Sequence, residues 1–303
     1  MTSTTPKLAE DVNPLEILEE TSYIGDKDTG KTTRKVLLGL ALGVLAVLVI
    51  CAIFAPLIAP HDPLEINLLE RFGPASSEHW LGTDHMGRDI ASRLIWACRV
   101  SLIAVILTIV FVIITGFITG AVSGYAGGVV DTVIMRICEL FMTFPTFILA
   151  LFLIAVFGTG LTNVVIAIVL THWAWYARIV RGMVLNLKHR DYILAAQVCG
   201  GSQFKIFLTH IAPQILTQIC ILGSLDLGHM LLHIAGLSFL GLGIQPPTPE
   251  WGVMIKDACQ YIWNEPLQVV SPGVMILLTV LAFNIPGDIL RDKLDPSLAE
   301  GGH

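Results

Sequence analysis

Six stretches of this chain, residues 36–58, 102–122, 133–157, 161–183, 213–242 and 269–290, are almost uninterrupted apolar sequence. About 20 apolar residues in a helix cross the roughly 30 Å hydrocarbon core of a bilayer, so each stretch is long enough to span one. Only 14% of the 303 residues are charged and 54% are hydrophobic, with a mean hydropathy of +0.74. Soluble chains carry about 25% charged residues. Frequent glycines, and ionisable residues placed mostly between the stretches, favour a helical bundle over a barrel of short alternating strands. The expected fold is an all-α integral membrane protein with six transmembrane helices, multi-pass and surrounded by lipid. The long fifth stretch is expected to tilt or break.

The same composition excludes disordered, fibrous and nucleic-acid-binding classes. A net charge of −6 leaves no basic patch. The six cysteines, Cys51, Cys98, Cys138, Cys199, Cys220 and Cys259, contain no C-x-x-C pair, and most read as small core hydrophobes.

Lys and Arg set orientation. Thirteen lie on one side of the six stretches, among them Lys31, Arg34, Lys35, Arg136, Lys188, Arg190 and Arg291; five lie on the other, Arg71, Arg88, Arg93, Arg99 and Lys256. Both termini are therefore expected in the cytoplasm, with residues 1–35 an acidic, polar tail, 36–290 the membrane domain and 291–303 a second tail. A polar leader of 35 residues is too long for the n-region of a signal peptide, which argues against cleavage.

Residues 25–32 (GDKDTGKT) fit the phosphate-cradling pattern G-x-x-x-x-G-K-[ST] without a mismatch. That loop works only between a buried strand and a helix, and here it sits in a tail that runs straight into the first span. The nucleotide reading is rejected: Lys31, Arg34 and Lys35 read as positive-inside anchors.

Residues 184–212 on the cytoplasmic side read as helix, Gly-Gly turn, helix. Ala195 and Ala196 allow close approach, Gly200 and Gly201 permit a reversal at positive φ, and Phe204, Phe207 and Ile211 form an apolar stripe. Such a helix is either a docking knob for a partner or an interfacial helix lying on lipid. The core Ala195-Ala196-x-x-x-Gly200, followed by His210-Ile-Ala-Pro213, resembles the coupling loop of ABC-importer permeases. In that family the loop docks into a groove on an ATPase subunit. Many members carry Glu before the two alanines, where this chain has Leu194.

The resemblance covers nearly all of residues 36–296. The run from His79 through Gly82-Thr83-Asp84-His-Met-Gly87-Arg88-Asp89 to Arg93 is similar to the segment after the first span in C-type permeases of dipeptide, oligopeptide and nickel importers. Read physically, Thr83 or Asp84 caps a short outer-surface helix on which Asp89 and Arg93 form an i, i+4 pair. Met142-Thr-Phe-Pro145, the glycine-rich run 236–243 and Glu250-Trp-Gly-Val-Met resemble the same family. Pro145 is expected to kink the third span, and the glycines to let helices approach or to break the fifth. Three segments, 158–163, 172–178 and 228–236, look like the nickel-import branch. Peptide permeases usually carry an acidic residue beside the position of His233, where this chain has Ile234.

The fifth stretch bears chemistry of its own. Asp226, His229, Met230 and His233 fall at i, i+3, i+4 and i+7, on one helical face within roughly 11 Å. An ionisable residue in a span costs about 2.5–3.5 kcal/mol on the insertion scale, so Asp226 needs a partner or a wet cavity. Imidazole suits Ni(II), and carboxylate or thioether adds weak contacts that do not trap the ion. The competing reading makes the histidines interhelical glue with Asp226 paired to one of them. His172 on the fourth span is a further candidate.

The resemblance thus implies one permease subunit of a binding-protein-dependent ABC importer in a bacterial cytoplasmic membrane, carrying nickel ion or a nickel chelate by alternating access. It implies a second homologous permease, two ATPase subunits that use ATP, and an extracytoplasmic solute-binding protein; no cofactor is expected on this chain. A peptide permease of the same family is the first rival. A membrane metalloenzyme built on Asp226, His229 and His233 is opposed by the lack of HExxH or an evident general base. A stand-alone channel leaves the docking loop unexplained.

Overall fold

The computed structural model describes residues 14–294; the outer parts of the two tails, 1–13 and 295–303, lie outside them. The described residues are helical throughout, apart from connections. In chain order they are α1 (Pro14–Ile58), α2 (Ile90–Ala126), α3 (Gly128–Thr143), α4 (Thr146–Phe157), α5 (Leu161–Leu187), α6 (Asp191–Val198), α7 (Gln203–Ile206), α8 (Ala212–Phe239), α9 (Trp251–Ala258) and α10 (Leu267–Leu294). Five segments are long and apolar enough to cross a membrane, Thr33–Ile58, Ile90–Ala126, Leu161–Leu187, Gln203–Phe239 and Leu267–Arg291, and a sixth crossing results if the pair α3 and α4 counts as one. The phosphate-loop match at 25–32 lies inside continuous helix, so its backbone forms no cradle.

The third span is broken rather than kinked. The helices α3 and α4 meet at 92° across Phe144-Pro145. Proline has no N–H, and it pushes the preceding residue out of the helical region; Phe144 is extended, with φ −92° and ψ 140°. The second span is longer than its apolar core, starting at Ile90 rather than 102.

A repeat of small residues holds the centre together. Gly116, Gly120 and Gly124, spaced by four, form a stripe on α2 that lies directly on α5. A Cβ at Gly120 would stand 2.4 Å from the Ala177 carbonyl oxygen, and one at Gly116 2.4 Å from the Tyr176 Cβ. Without a hydrophobic driving force between helices in lipid, this close backbone approach is what makes the pair adhere. The main core then gathers Val105, Ile109, Val112, Ile168, Tyr176, Met230, Leu231 and Ile234. Among the cysteines only Cys98 and Cys138 are buried; Cys199 and Cys220 are exposed, which corrects the expectation that most are core residues.

Candidate functional site

Tyr176 and His172, one turn apart on α5, face α8 and meet Asp226. The Asp226 Oδ2 lies 3.1 Å from His172 Nε2 and accepts a hydrogen bond from the Tyr176 hydroxyl at 3.2 Å. Its other oxygen is 3.6 Å from His229 Nδ1. The His172 and His233 rings are 6.3 Å apart between centroids, and His233 Nδ1 is buried with no hydrogen-bond partner. Asp226 and His172 form part of the wall of a cavity of about 270 Å³, completed by Phe141, Met142, Phe144, Thr146, Thr171 and Trp175. The break between α3 and α4 supplies four of those side chains, so the bent span is what opens space beside the carboxylate.

The four residues singled out on the fifth span divide by angle. At 100° per residue, Met230 and His229 stand about 100° apart around α8, on either side of Asp226. Met230 is fully buried in the apolar core, whereas the His229 side chain is 69% exposed. Met230 therefore packs and does not face the cavity. Tyr176 was not singled out in the sequence; its i, i+4 spacing from His172 carries the signal.

The loop at 184–212 forms the predicted reversal, but only Gly200 has positive φ (+82°). Gly201 is needed for space, since a Cβ there would stand 2.9 Å from the Ala196 carbonyl oxygen. Ser202 caps α7 by accepting from the Lys205 N–H. The second helix does not stand alone: α7 passes through a π-helical turn, Phe207–Ile211, directly into α8. Pro213 lacks the N–H that a regular helix would use there, consistent with the widened turn before it. The expected apolar stripe is split accordingly. Ile211 is buried and Phe207 packs on Phe117 and Tyr125, while Phe204 and Val198 are 73% and 89% exposed. Ala195 is exposed and Ala196 half-buried.

At the other end of α2, the charges assigned to an outer-surface helix are buried instead. Asp89 is the N-cap of α2 itself, accepting from the Ser92 N–H at 2.7 Å, and it does not pair with Arg93. Residues at Ncap and N4 point different ways, because the cap side chain turns back on the helix end. Arg93 and Arg88 instead converge on Asp84, at 3.6 and 2.7 Å, and on Asp257 in the last turn of α9, at 3.9 and 3.7 Å. Gly87, at φ +75°, lets this loop pass against Asn67. Glu250, also buried, caps α9 by accepting from the Val253 N–H at 3.0 Å and receives a hydrogen bond from Ser101. Burial pushes its carboxyl above the ordinary glutamate value.

Comparison with known proteins agrees with this architecture. Residues 113–300 match the family described as binding-protein-dependent transport system inner membrane component, and residues 37–74 match the N-terminal transmembrane domain of oligopeptide transport permease C. The nickel transport system permease protein NikC of Escherichia coli K12 is 50% identical over 259 residues, covering 86% of this chain and 94% of the relative. The metal-staphylopine import system permease protein CntC of Staphylococcus aureus Mu50 is 44% identical, covering 86% and 90%. A dipeptide transport system permease protein, DppC, of Alkalihalophilus pseudofirmus is 38% identical, covering 82% of each. The chain belongs to the family of binding-protein-dependent transport system inner membrane components, and is a multi-pass inner-membrane permease of the ABC importers rather than an enzyme.

Proposed function

We propose that this permease carries nickel, as the ion or a small chelate, past the cluster of His172, Asp226 and His233. One observation carries the reading: two imidazoles and a carboxylate meet inside the membrane domain, two of them on the wall of a 270 Å³ cavity. Nitrogen and oxygen donors in an incomplete set suit borderline divalent ions and release them again. The similarity to a nickel permease over most of the chain supports the same cargo. His229, exposed beside Asp226, extends the donor set toward a second homologous permease.

In this reading both termini and residues 184–212 face the cytoplasm, as the Lys and Arg bias requires. Two ATPase subunits dock there, on the exposed Val198 and Phe204 around Gly200, and an extracytoplasmic solute-binding protein delivers cargo to the opposite end. The run Gln203–Phe239 is one helix apart from its π-helical turn. A displacement of α7 by ATP-driven closure is thus transmitted about 35 Å along it to Asp226. The test is uptake of radioactive nickel and of a labelled dipeptide by cells carrying the whole importer, with His229 and His233 both replaced by Gln. Nickel uptake lost with the complex still assembled supports the reading; wild-type nickel uptake makes the histidines packing residues. Dipeptide uptake in place of nickel would favour the peptide rival.

A further inference from the structure

A second donor cluster lies far from the membrane cavity, at the end of α2 opposite the docking loop. His61, Glu78 and His79 each offer a ligand atom, and these atoms lie within 4.8 Å of one another. The two imidazole rings are 4.6 Å apart between centroids. The connection between α1 and α2 that carries them is pinned on several sides: the His61 N–H donates to Ser92 Oγ at 3.0 Å, and the Gly73 N–H donates to Thr83 Oγ1 at 2.7 Å.

We propose that His61, Glu78 and His79 form a binding site for a divalent transition-metal ion on this outer connection, separate from the cavity between α5 and α8. Three observations support it. First, His79 Nδ1 lies 3.0 Å from Asp89 Oδ1, and Asp89 is fixed as the cap of α2. That carboxylate fixes the orientation of the ring, as carboxylates behind metal-binding histidines do, and Nε2 becomes the donor once an ion displaces its proton. That Nε2 faces Glu70, whose carboxylate oxygen at 3.4 Å is a fourth donor within reach. Second, His61 Nδ1 is buried with no hydrogen-bond partner, 3.9 Å from the Asp89 carboxylate. An unsatisfied ring nitrogen beside a second imidazole is costly unless something binds it. Third, the three residues open on a cavity of about 170 Å³ whose other walls include Asp62, Glu65 and Glu70, a concentration of negative charge that draws cations.

Metal bonds of about 2.1 Å place ligand atoms at most about 4.2 Å apart, so the cluster closes slightly on binding, and the exposed Glu78 is the side chain placed to move. Two imidazoles with carboxylates select Ni(II), Zn(II) or Co(II) over Ca(II) and Mg(II).

The test titrates Ni²⁺ and Zn²⁺ into the purified full chain in detergent by calorimetry, with X-ray absorption to count imidazole ligands. His61→Gln and Glu78→Gln leave the Asp89 cap intact and are each expected to weaken one site at least tenfold, His61→Gln with one imidazole lost. The pair His229→Gln with His233→Gln is expected to leave that site unchanged. Melting without metal, equal to the parent, shows that each variant is folded. Folded His61→Gln and Glu78→Gln variants that bind like the parent would overturn the proposal, as would loss of the site in the His229/His233 pair alone. The measurement reads metal held and not metal moved, so it stands or fails separately from the cargo of the importer.

Discussion

Asp226 on α8 and His172 on α5 meet at 3.1 Å, and the contact joins two of the helices that line the cavity beside the break between α3 and α4. The carboxylate also takes the Tyr176 hydroxyl, so removing its charge acts on two neighbours at once. Asp226→Asn keeps an oxygen for the tyrosine but loses the ionic donor. Nickel uptake in cells is expected to fall at least tenfold, with the amount of assembled importer in the membrane unchanged. Uptake at the parental rate would mean that Asp226 is only a structural partner of His172.

Gly200 holds φ at +82° with open space around the position of a Cβ. Strain in Gly200→Val is therefore purely backbone, about 1–2 kcal/mol for an L-residue in the left-handed region. The variant is expected to insert normally but to lose the ATPase stimulation that the solute-binding protein gives the reconstituted importer. Full stimulation would place the ATPase contact elsewhere.

Gly120 has the Ala177 carbonyl oxygen where its Cβ would be. Ordinary overpacking costs about 1–3 kcal/mol, and Gly120→Leu should exceed this because the obstacle is backbone and cannot repack. Thermal melting in detergent is expected to show no folded protein. Gly182→Ala, where nothing lies within 4 Å, should melt like the parent.

Burial raises the Glu250 carboxyl above its ordinary 4.5, so folding favours the neutral form. The stability this gives is complete below the unfolded value and is lost as pH rises through the elevated folded one. The melting temperature should therefore decline with pH from about 4.5 upward, and Glu250→Gln should flatten that slope while largely keeping the cap. An identical slope in both proteins would assign it to another group.

The sequence by itself determined the solvent, the helical membrane class and the family, because each rests on properties local to a window: apolar length, charge between windows, and motifs such as Gly82 to Asp89. It also placed Asp226, His229 and His233 on one helix, since 3.6-residue periodicity needs no partner. Which of them meet was decided only by packing. The Gly116, Gly120 and Gly124 stripe sets α5 against α2, so His172 and Tyr176 reach Asp226 while Met230 turns into the core. The outer charges show the same division. The i, i+4 spacing of Asp89 and Arg93 predicts a pair, yet Asp257, distant in sequence, draws Arg93 away as Asp89 caps the helix. Spacing fixes what two residues on one helix could do; only the tertiary fold supplies competing partners from other helices, and burial makes that competition decisive, because a charge out of water must be paired.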